Sequence, residues 1–269
     1  MVMQRIFLAI VILLLAAIAG AFGYRVYLNR EIREKERIAA ETTPEPTPEA
    51  TPEPTPEPTP TPTVDPEEDP RFYDPEGYLM IANKKHKLPD GYEPADLIEL
   101  DVPLVHSYEN QLREEPGKAL MEMFDAAKED GLRLILGSAY RSAEYQESLY
   151  NTYLGRNTKE YVDSVSSRPG YSDHQTGCAV DIGDSTLAHY LQQSFENTAE
   201  GQWLFENAYK YGFILRYPKD KEDVTGYAYE PWHYRYVGKE YAKEIHEAGE
   251  GMTFEEFFGL KGGNYIEYE

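Results

Sequence analysis

The chain has 269 residues, with 48 acidic against 26 basic side chains and a formal net charge of -22. That balance argues against nucleic-acid binding, which needs basic patches to displace counterions, and against electrostatic adhesion to anionic lipid. A single cysteine, Cys178, excludes an intramolecular disulfide framework.

Residues 6–24 are almost wholly apolar. A run of about 20 such residues spans a bilayer as a helix. It is longer than the core of a usual signal peptide, so an uncleaved signal anchor is expected. Cleavage near Ala19-Gly20-Ala21 is the alternative. Residues 42–63 repeat Thr-Pro-Glu-Pro. Proline fixes φ and removes donors, so the tract forms neither helix nor sheet. At about 3.1 Å per residue, some 25 residues reach roughly 75 Å. The chain thus divides into 1–40 (anchor and juxtamembrane segment), 41–69 (Thr/Pro/Glu-rich disordered linker) and 70–269 (one globular domain).

In the globular part, residues 75–87 read as a short helix. Residues 116–130 read as a helix with Pro116 in its first turn and Ala119, Leu120, Met123, Phe124 and Ala127 on one face. Residues 132–136 read as a strand that delivers Tyr140 and Arg141 at its end. Ser142 N-caps a helix through Tyr153, closed by Gly155. Residues 178–182 read as a central strand and 187–211 as mostly helical, ending at Gly212. Strands are expected at 213–215 and 232–237, and closing helices at 239–248 and 253–258. This order implies an α+β domain with a small, mainly antiparallel sheet flanked by helices.

Two segments carry the chemistry: residues 172–181, SDHQTGCAVD, and residues 230–233, EPWH. Together they offer two imidazoles, one carboxylate ligand and one spare carboxylate. A catalytic zinc site needs three protein ligands, an open position for water and a base to take its proton. Gly177 and Ala179 let the chain turn closely between His174 and Asp181. Cys178 lies in the apolar run of the expected central strand and reads as a buried core thiol. Glu230 and His233 are three apart and would face opposite sides of an ideal strand. Pro231 between them breaks that regularity, so a bend can bring both to one site. A third segment, Ser138-Ala139-Tyr140-Arg141-Ser142 with Gln146 beyond, adds a cation and an amide.

The ordered motifs S-A-Y-R-S-x-x-x-Q, S-x-H-Q-x-G-x-A-x-D and E-P-W-H-Y-R-Y resemble the VanY-type D-alanyl-D-alanine carboxypeptidases, zinc peptidases with the LAS-type fold. Ile81-Ala82-Asn83-Lys84, Leu88-Pro89 and Tyr92-Glu93-Pro94 also look like that family. The resemblance runs from about residue 78 to the C-terminus. It implies Zn²⁺ held by His174, Asp181 and His233, with Glu230 as general base. It allows Arg141 to serve either the substrate carboxylate or the oxyanion. Ser172, Gln146, Tyr140 and Trp232 are then expected at the substrate, Trp232 as a wall. Asp173 is expected to face away, toward solvent or behind the ligands. His86, His106, His189 and His246 lack metal-like spacing and read as surface residues.

The implied activity is extracytoplasmic removal of the terminal D-alanine from peptidoglycan stem peptides. An L,D-carboxypeptidase acting on tetrapeptide stems is one alternative. A non-catalytic cell-wall binding module is another, and the presence of Glu230 argues against it. The expected location is the cell membrane, single-pass, with the catalytic domain outside. Arg5 before the apolar run and Arg25, Arg30 and Arg33 after it favour the opposite topology. The extracytoplasmic character of the enzyme outweighs that bias.

Overall fold

The computed structural model describes residues 65–106 and 108–268. The apolar segment 6–24 and the Thr/Pro/Glu tract 42–63 lie outside the described residues. Among the described residues, no helix is long and apolar enough to cross a membrane.

Two short strands, β1 (Leu97–Glu99) and β2 (Gln111–Arg113), form an antiparallel pair. Helix α1 (Glu114–Glu129) follows, with Ala119, Leu120, Met123, Phe124 and Ala127 buried on one face, as their spacing requires. The main sheet has the order β3–β4–β6–β5 and is antiparallel throughout. Its strands are β3 (Leu134–Ser138), β4 (Ala179–Asp184), β5 (Phe213–Leu215) and β6 (His233–Tyr236). Between β3 and β4 the chain forms α2 (Ala143–Leu154) and α3 (Lys159–Val165). Ser142 caps α2 by accepting the Tyr145 N–H. Helix α4 (Ala199–Asn207) precedes β5, and the single turn α5 (Glu222–Thr225) precedes β6. Helices α6 (Lys239–Ala248) and α7 (Phe254–Phe258) close the domain.

Strand alternation divides the sheet. Val180 and Ile182 of β4 and Tyr234 and Tyr236 of β6 join Leu134, Leu136 and Phe213 in the core beneath α1. Asp181 and His233, directly opposite each other across β4 and β6, point to the other face. On that face Ile214 packs with Ala242, Ile245 and Phe254 in a second core. A register shift between Leu136 and Ser138 sets Ser138 beside Asp181. Such an irregularity bends a strand and re-aims the residues beyond it, and here it turns residues 139–141 toward Asp181.

Three expectations are corrected. Residues 75–87 form turns and an Asn83–His86 bridge, not a helix. Their carbonyls are engaged elsewhere: those of Pro75, Glu76 and Gly77 accept from Arg113, and those of Tyr78 and Met80 from Arg235. The stretch 187–211 is helical only from Gln193 onward, because Leu187 and Leu191 have left-handed φ values of 57° and 52°. His86 is buried, with Nδ1 2.9 Å from Asn83 Oδ1 and Nε2 3.2 Å from Glu67 Oε2.

Candidate active site

His174 lies in a single 3₁₀ turn, Asp173–Thr176, that ends at Gly177 with φ 68°. A Cβ at Gly177 would stand 2.9 Å from the Arg113 side chain, so both the turn and the close packing select glycine. This turn leads directly into β4 and Asp181. His174 Nδ1 donates to the Ala139 carbonyl at 2.7 Å, which leaves the Nε2 lone pair facing Asp181 Oδ2 at 3.4 Å. His233 opens β6. Its Nε2 lies 3.1 Å from Asp173 Oδ1, and its Nδ1 lies 3.1 Å from Asp181 Oδ1. With Nε2 donating to Asp173, Nδ1 carries a lone pair toward Asp181. Asp173 is thus fully buried behind His233, not turned to solvent.

With the imidazole neutral, the contact of His233 Nδ1 with Asp181 Oδ1 sets two acceptors against each other, so a proton or a cation must lie between them; Oδ1 is buried and has no other hydrogen-bond partner. One ligand atom from each of His174, Asp181 and His233 lies within 4.8 Å of the others, and all three residues are buried. Lone pairs converging on one point fit a divalent cation of the zinc type.

Pro231 breaks the strand before β6, and the His233 N–H donates to the Glu230 carbonyl at 3.1 Å. This turn brings Glu230 Oε2 to 3.5 Å from His233 Nδ1. Burial pushes the Glu230 carboxyl up to about 8, opposed by His233 and Arg141 and reinforced by Asp181 and Asp173. Burial works to lower His233, but Asp173 and Asp181 outweigh it and hold the imidazole up at about 10. A cation held by His174, Asp181 and His233 would take the place of the proton between His233 and Asp181, and its charge would lower the Glu230 carboxyl again.

Arg141 Nη2 donates to Asp181 Oδ2 at 2.9 Å, and Nε donates to Glu109 Oε1 at 2.7 Å. A small cavity of about 90 Å³ joins Arg141, His174, Asp181, Glu230 and His233 with Gln146, Ser172 and Trp232. Gln146 Nε2 donates to the Ser167 carbonyl at 2.7 Å, so its buried, unpartnered Oε1 is the acceptor. Two of the four buried side-chain oxygens that lack a hydrogen-bond partner among the described residues belong to cavity residues Asp181 and Gln146. The others, on Gln175 and Asp184, belong to residues that do not line it.

Tyr140 does not line the cavity. It is half-buried, and burial together with the Glu93 and Glu144 charges pushes its hydroxyl up to about 12. The sequence reading missed Glu109, Arg216 and the wall residues Tyr217, Tyr227 and Leu191. None carries a motif signal. A larger hollow of about 830 Å³ runs along the edge strand β5 and contains none of the three converging residues.

The family pattern described as VanY, D-alanyl-D-alanine carboxypeptidase, matches residues 109–239. The chain is 44% identical over 190 residues to YodJ of Bacillus subtilis (strain 168), covering 69% of this chain and 68% of that one. It is 33% identical over 197 residues to a D-alanyl-D-alanine carboxypeptidase of Enterococcus faecalis (strain ATCC 700802 / V583), covering 70% of this chain and 68% of that one. The solved structure of the LdcB LD-carboxypeptidase superposes with a TM-score of 0.65 at 43% identity, covering 70% of this chain and 89% of that one. A Zn(II) complex of a VanY D,D-pentapeptidase superposes with a TM-score of 0.55 at 33% identity, covering 67% and 98%. The chain belongs to the VanY family of D-alanyl-D-alanine carboxypeptidases.

Proposed function

We propose that the protein is a zinc-dependent carboxypeptidase that acts outside the cytoplasm and releases the terminal D-alanine of peptidoglycan stem peptides, with the D-Ala–D-Ala bond of the pentapeptide as its substrate. The convergence of His174, Asp181 and His233 beside a buried Glu230 carries this reading. His174 would hold zinc through Nε2, His233 through Nδ1 and Asp181 through its carboxylate. Bound there, zinc supplies a Lewis acid for a water and for the scissile carbonyl.

The remaining work falls to the chain. Glu230 takes the attacking water's proton and returns it to the departing amine. Asp173 and the Ala139 carbonyl fix the two imidazoles in their tautomers. Arg141 has Nε and Nη2 engaged, and its Nη1 has no hydrogen-bond partner among the described residues. Nη1 is therefore the nitrogen with both N–H groups left for the substrate's carboxylate or the developing oxyanion. Ser172 and Gln146 supply uncharged polar contacts, and Trp232 and Leu191 form the wall.

A second reading, cleavage of tetrapeptide stems by L,D-carboxypeptidase activity, is favoured by the higher identity to LdcB, 43% against 32% for VanYB bound to D-alanine-D-alanine. Mass spectrometry of penta- and tetrapeptide muropeptides after incubation with the protein separates them. Loss of D-alanine from the pentapeptide alone supports the first reading, and loss from the tetrapeptide alone replaces it with the second. Cleavage of neither, with zinc loaded, sinks both and leaves a binding module. The apolar run 6–24 and the Thr/Pro/Glu-rich tract 42–63 support a membrane tether with the domain held away from the bilayer. Protease resistance of the domain in intact protoplasts would overturn that orientation.

A further inference from the structure

Glu109 belongs to none of the recognised motifs, yet it makes the shortest hydrogen bond to Arg141, 2.7 Å from Nε to Oε1. The same oxygen accepts from Ser138 Oγ at 3.1 Å, and Ser138 Oγ accepts from Arg141 Nε at 2.9 Å. The three groups close a ring around one edge of the guanidinium. Farther along the guanidinium, Nη2 is held by Asp181 at 2.9 Å. Arg141 is thus clamped between a carboxylate of the zinc set and one outside it.

The backbone of Glu109 is left-handed, with φ 58°, a conformation that non-glycine residues rarely adopt. Its surroundings enforce it. The Leu100 N–H donates to the Asn110 carbonyl, and the Val105 N–H donates to the Leu136 carbonyl, so the loop is tied at both ends. Immediately beyond, the Gln111 carbonyl accepts the Tyr140 N–H at 2.8 Å, fixing the loop to the segment that carries Arg141. The Glu109 side chain is only 10% exposed. A mostly buried acid on a constrained loop, committed to one arginine, is the arrangement of an orienting group.

We propose that Glu109 is a positioning residue: it holds the Arg141 guanidinium, a lining group of the cavity, in the rotation that leaves Nη1 unengaged for substrate. Without it, Arg141 keeps Asp181 as its only carboxylate and Ser138 Oγ as an uncharged partner on Nε, a looser hold on the guanidinium. The donor then leaves the place where the substrate's charge arrives. The proposal rests on Arg141 facing substrate in the carboxypeptidase proposed for this chain.

Kinetics of three variants and one exchange measurement on the zinc-loaded full chain test it. Glu109→Ala is expected to lower kcat/KM about tenfold to a hundredfold, the range that misplacement of a positioned group produces. Zinc content should not change. Glu109→Gln keeps an acceptor oxygen and should recover most of that loss. In an Arg141→Ala background, Glu109→Ala should add no further loss, because its effect passes through Arg141. By NMR, the Arg141 Nε–H should exchange slowly in the wild-type chain and rapidly in Glu109→Ala. Undiminished protection, or an equal further loss in the Arg141→Ala background, overturns the proposal. If Glu109→Ala fails to fold, Glu109→Gly, which suits the left-handed backbone and also lacks the carboxylate, carries the same cycle. Should no stem peptide be cleaved, the exchange measurement still decides the positioning role, and only the assigned activity fails.

Discussion

The two faces of the β3–β4–β6–β5 sheet are equally buried and chemically opposite. Val180, Ile182, Tyr234 and Tyr236 fill one face with carbon. The other carries Asp181, His233 and Arg235, with Arg216 just past β5. Burying charge is costly unless every group finds a partner. Most of the polar face meets that condition within the fold. Arg216 makes two bonds to Glu255, at 2.6 and 2.8 Å, and Asn83 donates to the same carboxylate. Arg235 donates to the carbonyls of Tyr78, Met80 and Tyr236. The cluster of His174, Asp181, His233 and Glu230 meets it only with a proton or a cation between His233 Nδ1 and Asp181 Oδ1, which has no other partner. Both clusters hold buried charge. Filled valences mark the structural one, and unfilled valences mark the one that binds.

Substitutions on the two clusters should therefore separate stability from chemistry. The largest effect is expected at Glu230. Glu230→Gln should leave zinc content and unfolding midpoint near wild type while the turnover rate falls by about 10² to 10⁴. Wild-type-like turnover would remove Glu230 from its role. Glu255→Ala should do the reverse. It strands Arg216 as an uncompensated buried charge, which costs about 3–5 kcal/mol in denaturant unfolding. The folded fraction should still bind zinc. A loss of less than about 1 kcal/mol would mean that Asp173, 3.5 Å from Arg216 Nε, compensates alone.

The smallest effect tests the residue that belongs to both clusters. Asp173 touches His233 on one side and Arg216 on the other. His233 and Arg216 hold its carboxyl far below the usual range against the opposing pull of burial. Asp173→Ala removes the acceptor that orients His233. It should weaken zinc affinity about 10- to 100-fold, the effect of losing such an outer partner. Competition with a calibrated chelator reads this directly. Unchanged affinity would show that β6 pairing alone orients the imidazole.

Local chemistry decided much before folding. The α1 stripe, the Ser142 cap, the strand at β4 and the helix Lys239–Ala248 follow from spacing and capping, which depend on near neighbours. The grouping of His174, Asp181, Glu230 and His233 was legible because their motifs are short and unusual. The reading of 75–87 as a helix failed because its carbonyls serve Arg113 and Arg235, 36 or more residues away. No window along the chain contains that competition. The same holds for Asp173, expected at solvent or behind the ligands and fixed behind them only when β6 is laid against β4. Glu109 lies 32 residues before Arg141, and only the register shift in β3 and the tied loop beside it bring the two to 2.7 Å. The sequence by itself determined which groups could bind a metal and move a proton. Tertiary structure decided which valences stay open, because that depends on what every other buried group has already taken.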